Sequence, residues 1–249
     1  MPGTISESRN QLIVPTIDIS NFIFDPSSAG ANEVVKKVRD ACVETGFFQI
    51  VGHGMPKQIQ DGLFQASKKF FALPMDEKLA LDARKTVGRR GYDALESQAY
   101  DPKVLSDLKE ASSLGPDEFR EPVEQYYQAI NQLALKILEL VARTLPYNTE
   151  IFSRFSSGHV IAPLRLLHYP PALAQNQLQN GKTQFGAGAH TDFGAITLLI
   201  QDENSGLEVW DPRANGWISV KPTPEAFVVN VGDMLSAWTG GSIFLRWEL

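Results

Sequence analysis

Apolar positions recur at helical spacing in three stretches of the first 145 residues. Over Asn32 to Thr45, Val34, Val35, Val38, Ala41 and Cys42 share one face, and Gly46 follows as a C-terminal stop. Phe47 to Val51 is a short apolar run suited to a buried strand, and Gly52-His53-Gly54 turns the chain. A second amphipathic helix follows from Pro56, a proline tolerated in a first turn, through Ile59, Leu63, Phe64, Ala66, Phe70 and Phe71 until Pro74 ends it. Residues 82–120 carry no clear period. The third helix runs from about Pro122 to Leu145, with Val123, Tyr126, Ile130, Leu133, Ile137, Leu138 and Val141 on its apolar face and Pro146 as its stop. Thr149 is placed to cap a short helix through Phe155.

Beyond residue 160 the pattern shortens to strands. They are expected near Ile161–Tyr169, Gly186–Thr191, Ala195–Gln201, Leu207–Trp210, Trp217–Val220 and Ala226–Val231, with Asn215-Gly216 as a hairpin signal. Helices first and then many short strands predict an α+β fold with a β-barrel or jelly-roll body.

Composition narrows the classes. Hydrophobic residues make up 43% and charged residues 21% of 249, enough for a real core. The net charge of −6 and the lack of a basic stripe argue against a nucleic-acid partner; Arg84, Lys85, Arg89 and Arg90 read as a solvated loop. Cys42 is the only cysteine, so no intrachain disulfide or multi-cysteine metal site can form. The polar N-terminus lacks a signal-peptide core and no apolar run approaches the roughly 18 residues of a membrane span. A soluble, cytoplasmic protein with no membrane partner is expected, of unspecified oligomeric state.

The chemistry-bearing segment is Ala189-His190-Thr191-Asp192-Phe193. In an extended chain alternate side chains share a face, so His190 and Asp192 point the same way. An imidazole and a carboxylate so placed supply two arms of a 2-His-1-carboxylate Fe(II) site. By itself the triplet is a weak motif, more often a surface hydrogen bond.

Its surroundings carry a resemblance. Val14-Pro15-Thr16-Ile17-Asp18, Glu44-Thr45-Gly46-Phe47-Phe48 with His53-Gly54, and Phe70-Phe71-Ala72-Leu73-Pro74 with Lys78 come first. Gly91-Tyr92, Leu164 through Pro171, Gly188 through Asp192, Thr197-Leu198-Leu199, Gly206-Leu207-Glu208-Val209 and Asn230 through Leu235 follow in order. Together, over about residues 13 to 240, they resemble the non-haem iron family of isopenicillin N synthase and the Fe(II)/2-oxoglutarate-dependent dioxygenases. The helix-then-strand order and the Asn215-Gly216 signal predict an incomplete double-stranded β-helix near 161–235, with helices 32–45, 56–72 and 122–145 packed outside it, as the resemblance also implies. It divides the chain into an N-terminal helix/strand region, 1–120, and a long helix with the oxygenase core, 121–249, as one structural unit. It also implies His190 and Asp192 as metal ligands, Fe(II) and 2-oxoglutarate as cofactor and co-substrate, and molecular oxygen and a small-molecule substrate, in secondary metabolism among other settings. Tyr169 is implied in binding the carboxylate of the co-substrate or substrate, against the alternative of a core tyrosine. Arg165 shares its strand face and suits either an anionic ligand or a structural ion pair. His53 is read as structural, His168 as packing or surface, and His159 as solvent-facing.

Two departures stand out. Gly115 runs almost directly into Glu118-Phe119-Arg120-Glu121-Pro122, where the family carries a longer loop. Past Trp238-Thr239, the position of the family's second iron histidine falls near Glu248, and Ser242 through Leu249 is unlike the family. The last strands and the carboxylate-binding arginine are expected to be missing. The barrel edge would then stand unpaired, iron would bind weakly, and 2-oxoglutarate turnover would not reach a normal rate. Glu248 could donate an oxygen only if neighbouring groups supported it. Three functions follow: an Fe(II) oxygenase, an inactive jelly-roll protein with at most a binding role, and, least favoured, a metal-assisted hydrolase.

Overall fold

The computed structural model describes residues 12–85, 91–95, 106–107, 109–112, 117–147, 151–152, 161–171, 178–179, 182–183, 185–243 and 246–249. His159, Arg89, Arg90, the Gly115 junction and most of the short helix expected through Phe155 lie outside these residues.

The N-terminal half alternates short strands and helices. Strand β1 (Thr16–Asp18) leads through α1 (Ser20–Phe24) to α2 (Ala29–Glu44) and β2 (Phe47–Val51). Helix α2 starts three residues before the periodic stretch because Ser28 caps it, its hydroxyl accepting the Ala31 N–H at 3.1 Å. It ends as its sequence demands: Gly46 takes a φ of +68°, and its N–H bonds the Ala41 carbonyl at 2.9 Å. Helices α3 (Lys57–Phe71) and α4 (Met75–Ala80) follow, then β3 (Tyr92–Asp93) and β4 (Glu110–Ser112). The long α5 (Asp117–Thr144) begins five residues before Pro122, which therefore sits inside it. The added turn carries Phe119 against Phe70, with ring centroids 6.2 Å apart.

The C-terminal half is mostly strands: β5 (Leu166–His168), β6 (Leu178–Gln179), β7 (Lys182–Thr183), β8 (Ile196–Ile200), β9 (Glu208–Asp211), β10 (Gly216–Ser219) and β11 (Phe227–Val231), closed by α6 (Asp233–Trp238). The Asn215-Gly216 signal holds: β9 and β10 pair antiparallel, with Asn215 at φ 50° in the turn. Two expected strands shrink. Only Leu166–His168 of 161–169 pairs, with β4, between Pro163 and Pro170-Pro171, which have no N–H to offer a ladder. Of 186–191 only His190 bridges a partner strand, among the glycines Gly186 and Gly188.

The main sheet has the order β1-β2-β11-β8, with β1 parallel to β2 and the remaining pairs antiparallel. Its central strands separate two layers, as alternation requires. Phe48, Ile50, Phe227, Val229 and Val231 pack with Val34 and Val38 of α2 and Ile137, Leu140 and Val141 of α5. Phe47 and Val228 face the other way, onto Val209, Ile218 and Val220 of the hairpin. Asn230, two residues after Val228, is the polar member of that second face.

The edge expected to stand unpaired beside the hairpin is partly filled. The Trp210 N–H bonds the Trp247 carbonyl at 3.0 Å, and Glu208 and Leu249 exchange both backbone bonds at 3.1 and 2.9 Å. On its other side Glu248 exchanges both bonds with His190, at 3.0 and 2.9 Å. Residues 247–249 thus act as a short strand between His190 and β9. Ile243, 2% exposed, and Arg246, bonded to the Glu44 and Thr45 carbonyls at 2.7 and 3.2 Å, anchor the approach to it.

Candidate metal centre

The segment carrying His190 and Asp192 is extended but irregular, and neighbours fix it from three sides. The Gly188 N–H donates to Asp107 Oδ1 at 2.8 Å, and the buried Asp107 pairs through its other oxygen with Lys109 at 2.8 Å. The Gly188 carbonyl lies 2.8 Å from His190 Nδ1. With Nδ1–H donating there, Nε2 presents its lone pair to the opposite side, the tautomer a metal-binding imidazole needs.

Asp192 is held from behind. Its carbonyl accepts the Asp233 N–H at 2.7 Å, and the Gly232 and Met234 N–H groups bond the Ala195 and Gly194 carbonyls at 3.0 and 3.2 Å. The start of α6 therefore cradles the 192–195 turn. Close approach explains Gly232: a Cβ there would lie 2.1 Å from the Gly194 oxygen. Ahead, Asn230 Nδ2 donates to Asp192 Oδ2 at 2.8 Å, while Asn230 Oδ1 accepts the Thr197 N–H at 3.2 Å.

His190 and Asp192 come together as alternation predicts, with Nε2 and Oδ1 3.8 Å apart and each side chain about one-fifth exposed. Glu248 joins them. Its Oε1 lies 3.6 Å from His190 Nε2 and accepts the same Asn230 amide at 3.2 Å. One ligand atom from each of the three residues lies within 4.8 Å of the others. Burial, and then the nearby Asp192 charge, push the Glu248 carboxyl up to about 8; the Asn230 hydrogen bond and the Lys109 charge oppose the rise. An imidazole nitrogen with two carboxylates is a hard donor set that fits Fe(II), Mn(II) or Mg(II).

The other expected residues are placed as follows. Tyr169 is half-exposed and lays its ring against Gly186, where an added Cβ would meet Cδ1 at 2.9 Å. Arg165 takes the structural option, pairing with Asp93 at 3.1 Å. His53 is structural: Nε2 lies 2.7 Å from the Glu225 carbonyl, and Nδ1 accepts the Met55 N–H at 3.1 Å. His168 stacks on Phe71, ring centroids 5.2 Å apart, and binds Glu110 at 2.8 Å. Glu110 also receives Lys78 at 2.9 Å and the Tyr92 hydroxyl. Burial would raise the Glu110 carboxyl, but hydrogen bonds from Tyr92, Lys78 and His168 outweigh it and hold the group below its ordinary value. Asn230, Asp107 and Lys109 had no expected role at the site. Asn230 alone left a trace in the sequence, as an amide inside the apolar run Phe227–Val231.

A helix-backed jelly-roll body carrying an imidazole–carboxylate pair is the arrangement the sequence resemblance implies, and comparison with known proteins supplies the family. Residues 14–134 match the family described as "non-haem dioxygenase in morphine synthesis N-terminal", and residues 161–246 match the 2OG-Fe(II) oxygenase superfamily. A 2-oxoglutarate-dependent dioxygenase of Monascus ruber is 44% identical over 263 residues, covering 94% of this chain and 78% of the relative. Clavatol oxidase of Penicillium crustosum is 40% identical, covering 94% of this chain and 80% of its own. The crystal structure of a dioxygenase for auxin oxidation in rice superposes with a TM-score of 0.72 at 29% identity, over 95% of this chain and 77% of that one. The chain belongs to the 2OG-Fe(II) oxygenase superfamily and is similar to fungal 2-oxoglutarate-dependent dioxygenases. The Monascus match, at 263 positions, is longer than the 249 residues here, so the relative carries residues within the match that this chain lacks.

Proposed function

We propose that this chain is an Fe(II)- and 2-oxoglutarate-dependent oxidoreductase. In this reading His190 and Asp192 hold the metal, and a small organic metabolite of fungal secondary metabolism is oxidised with molecular oxygen. The observation that carries it is the His190–Asp192 pair: the ring's Nδ1 is tied to the Gly188 carbonyl and Nε2 stands beside the carboxylate, in a chain of this superfamily. Bound iron would supply the redox centre at which oxygen is activated as 2-oxoglutarate is oxidised. The protein's own share is positional. Gly188, itself held by Asp107, selects the His190 tautomer, and Asn230 with the α6 start sets the Asp192 carboxylate. Tyr169, on the far side of Gly186 from this turn in sequence, is assigned to the carboxylate of the co-substrate or substrate.

The test is anaerobic addition of Fe(II) and 2-oxoglutarate, reading the metal-to-ligand charge-transfer absorbance, followed by oxygen and measurement of succinate. Wild type should show both signals, below the level of a chain that carries the second histidine and the carboxylate-binding arginine, and His190→Ala and Asp192→Ala should lose them. Unchanged absorbance in both variants would overturn the assignment. A second reading, an inactive jelly-roll protein with a binding role, is favoured by one observation: Glu248 puts a further carboxylate beside His190, where an anionic co-substrate would approach. Charge-transfer absorbance or metal binding without succinate release would select it.

A further inference from the structure

We propose that Glu248 is a third protein ligand, so that His190, Asp192 and Glu248 form a one-histidine, two-carboxylate site for a hard divalent cation. This rests on the reading of His190 and Asp192 as metal ligands and extends it to a residue outside that pair.

Geometry comes first. Glu248 Oε1 is nearer to His190 Nε2, at 3.6 Å, than Asp192 Oδ1 is, at 3.8 Å. Both separations exceed hydrogen-bond reach, and with Nδ1–H bound to Gly188 all three facing atoms are acceptors. Acceptors that face one point at these separations leave room for a cation between them. A cation with bonds of about 2.0–2.2 Å reaches all three donors after small rotamer adjustments.

The second support is how Glu248 is held. A surface glutamate would extend into water, whereas this side chain is 11% exposed. Its backbone is clamped by both bonds to His190. Its carboxylate shares the Asn230 amide with Asp192, a single donor orienting two carboxylates toward one imidazole. Shared outer-shell support of this kind accompanies metal ligands. Two carboxylates brought together away from water are stable when one keeps its proton or when a cation replaces that proton between them. Lys109, the buried cation nearby, already pairs with Asp107.

The donor set has a consequence. Two carboxylates balance the charge of a divalent ion, whereas one carboxylate leaves it with a net positive charge. Glu248 therefore lowers the centre's pull on an anionic co-substrate and shifts the preference from nitrogen-favouring ions toward Mn(II), Fe(II) or Mg(II).

Calorimetric titration of the metal-free 249-residue chain with Mn(II) and Co(II) tests this without reference to turnover. Wild type should bind Mn(II), Asp192→Asn should lose it, and Glu248→Gln should weaken it by roughly ten- to hundredfold, as loss of ligand support does. Glu248→His should bind again, with the Co(II)-to-Mn(II) affinity ratio raised by about tenfold or more, because a nitrogen donor follows the Irving–Williams order more steeply. Thermal melting in EDTA guards against misfolding: Glu248→Gln should melt close to wild type, since the amide matches the carboxyl in size and can keep the contact with Asn230. If Glu248→Gln binds Mn(II) as tightly as wild type while Asp192→Asn does not, Glu248 is no ligand and this inference falls alone. An unchanged metal ratio in a folded Glu248→His overturns it equally. If wild type binds no metal, the underlying reading of His190 and Asp192 falls with it.

Discussion

Gly232→Ala offers a direct test of how the Asp192 turn is built. The backbone at Gly232 has φ −92° and ψ 174°, open to any L-residue, so the substitution carries no torsional penalty. The conflict is contact. The new Cβ would sit 2.1 Å from the Gly194 oxygen and 2.8 Å from both the Asp192 oxygen and the Gly194 carbonyl carbon. To restore even 3.0 Å, the Gly194 carbonyl must retreat by about 0.9 Å. That movement strains the three bonds joining the α6 start to the turn, Gly232 to Ala195, Asp233 to Asp192 and Met234 to Gly194. Overpacking of this kind costs about 1–3 kcal/mol, and weakening one or two hydrogen bonds adds roughly 0.5–1.5 kcal/mol each. We expect a loss of about 2–4 kcal/mol in urea unfolding with EDTA present. The variant that still folds should bind Mn(II) roughly 10–100-fold more weakly, because Asp192 rides on the displaced turn. Gly194→Ala is the control: its Cβ meets only the Ile196 oxygen, at 3.8 Å, so stability should change by no more than about 0.5 kcal/mol. A Gly232→Ala protein as stable as that control, with wild-type metal affinity, would refute the account.

Asn230→Ala removes the amide shared by Asp192 and Glu248; it should lower Mn(II) affinity by roughly 10–100-fold in calorimetry although Asn230 is not a ligand. Arg246→Ala frees the approach to residues 247–249 from the Glu44 and Thr45 carbonyls. Hydrogen exchange at the Glu248 and Leu249 amides should then accelerate by about tenfold or more, as a loss of about 1.5–3 kcal/mol in charge-assisted bonds implies. Glu110→Gln breaks the buried pair with Lys78 and should cost about 3–5 kcal/mol in urea unfolding at pH 7. Because the folded Glu110 carboxyl lies below its ordinary value of 4.5, its contribution is present above that pH and fades as the pH falls through the folded value. The wild-type advantage over Glu110→Gln should therefore narrow below pH 4.5; an advantage that stays constant to the acid side of the folded value would contradict the sign.

Local pattern determined much of this protein. The spacing of Val34, Val38, Ala41 and Cys42, with Gly46 after it, was enough to place α2, and Asn215-Gly216 was enough to place the β9–β10 turn, because helix periodicity, left-handed caps and tight turns depend on neighbours in sequence. Alternation correctly anticipated His190 and Asp192 on one side, although tertiary contacts hold the irregular segment that carries them. What it missed depends on partners far along the chain. Strands at 161–169 and 186–191 are shorter than the apolar pattern predicts because apolar character does not reveal which backbone groups find a ladder, and prolines and glycines interrupt the pairing there. Asp107, Asn230 and Glu248 converge on His190 from 83, 40 and 58 positions away, and no local rule connects them. Glu248 is the clearest case. In sequence it is one carboxylate in an unfamiliar stretch. Only the pairing of residues 247–249 between His190 and β9, which sets strand register and hence side-chain direction, aims its carboxylate at the imidazole instead of at water.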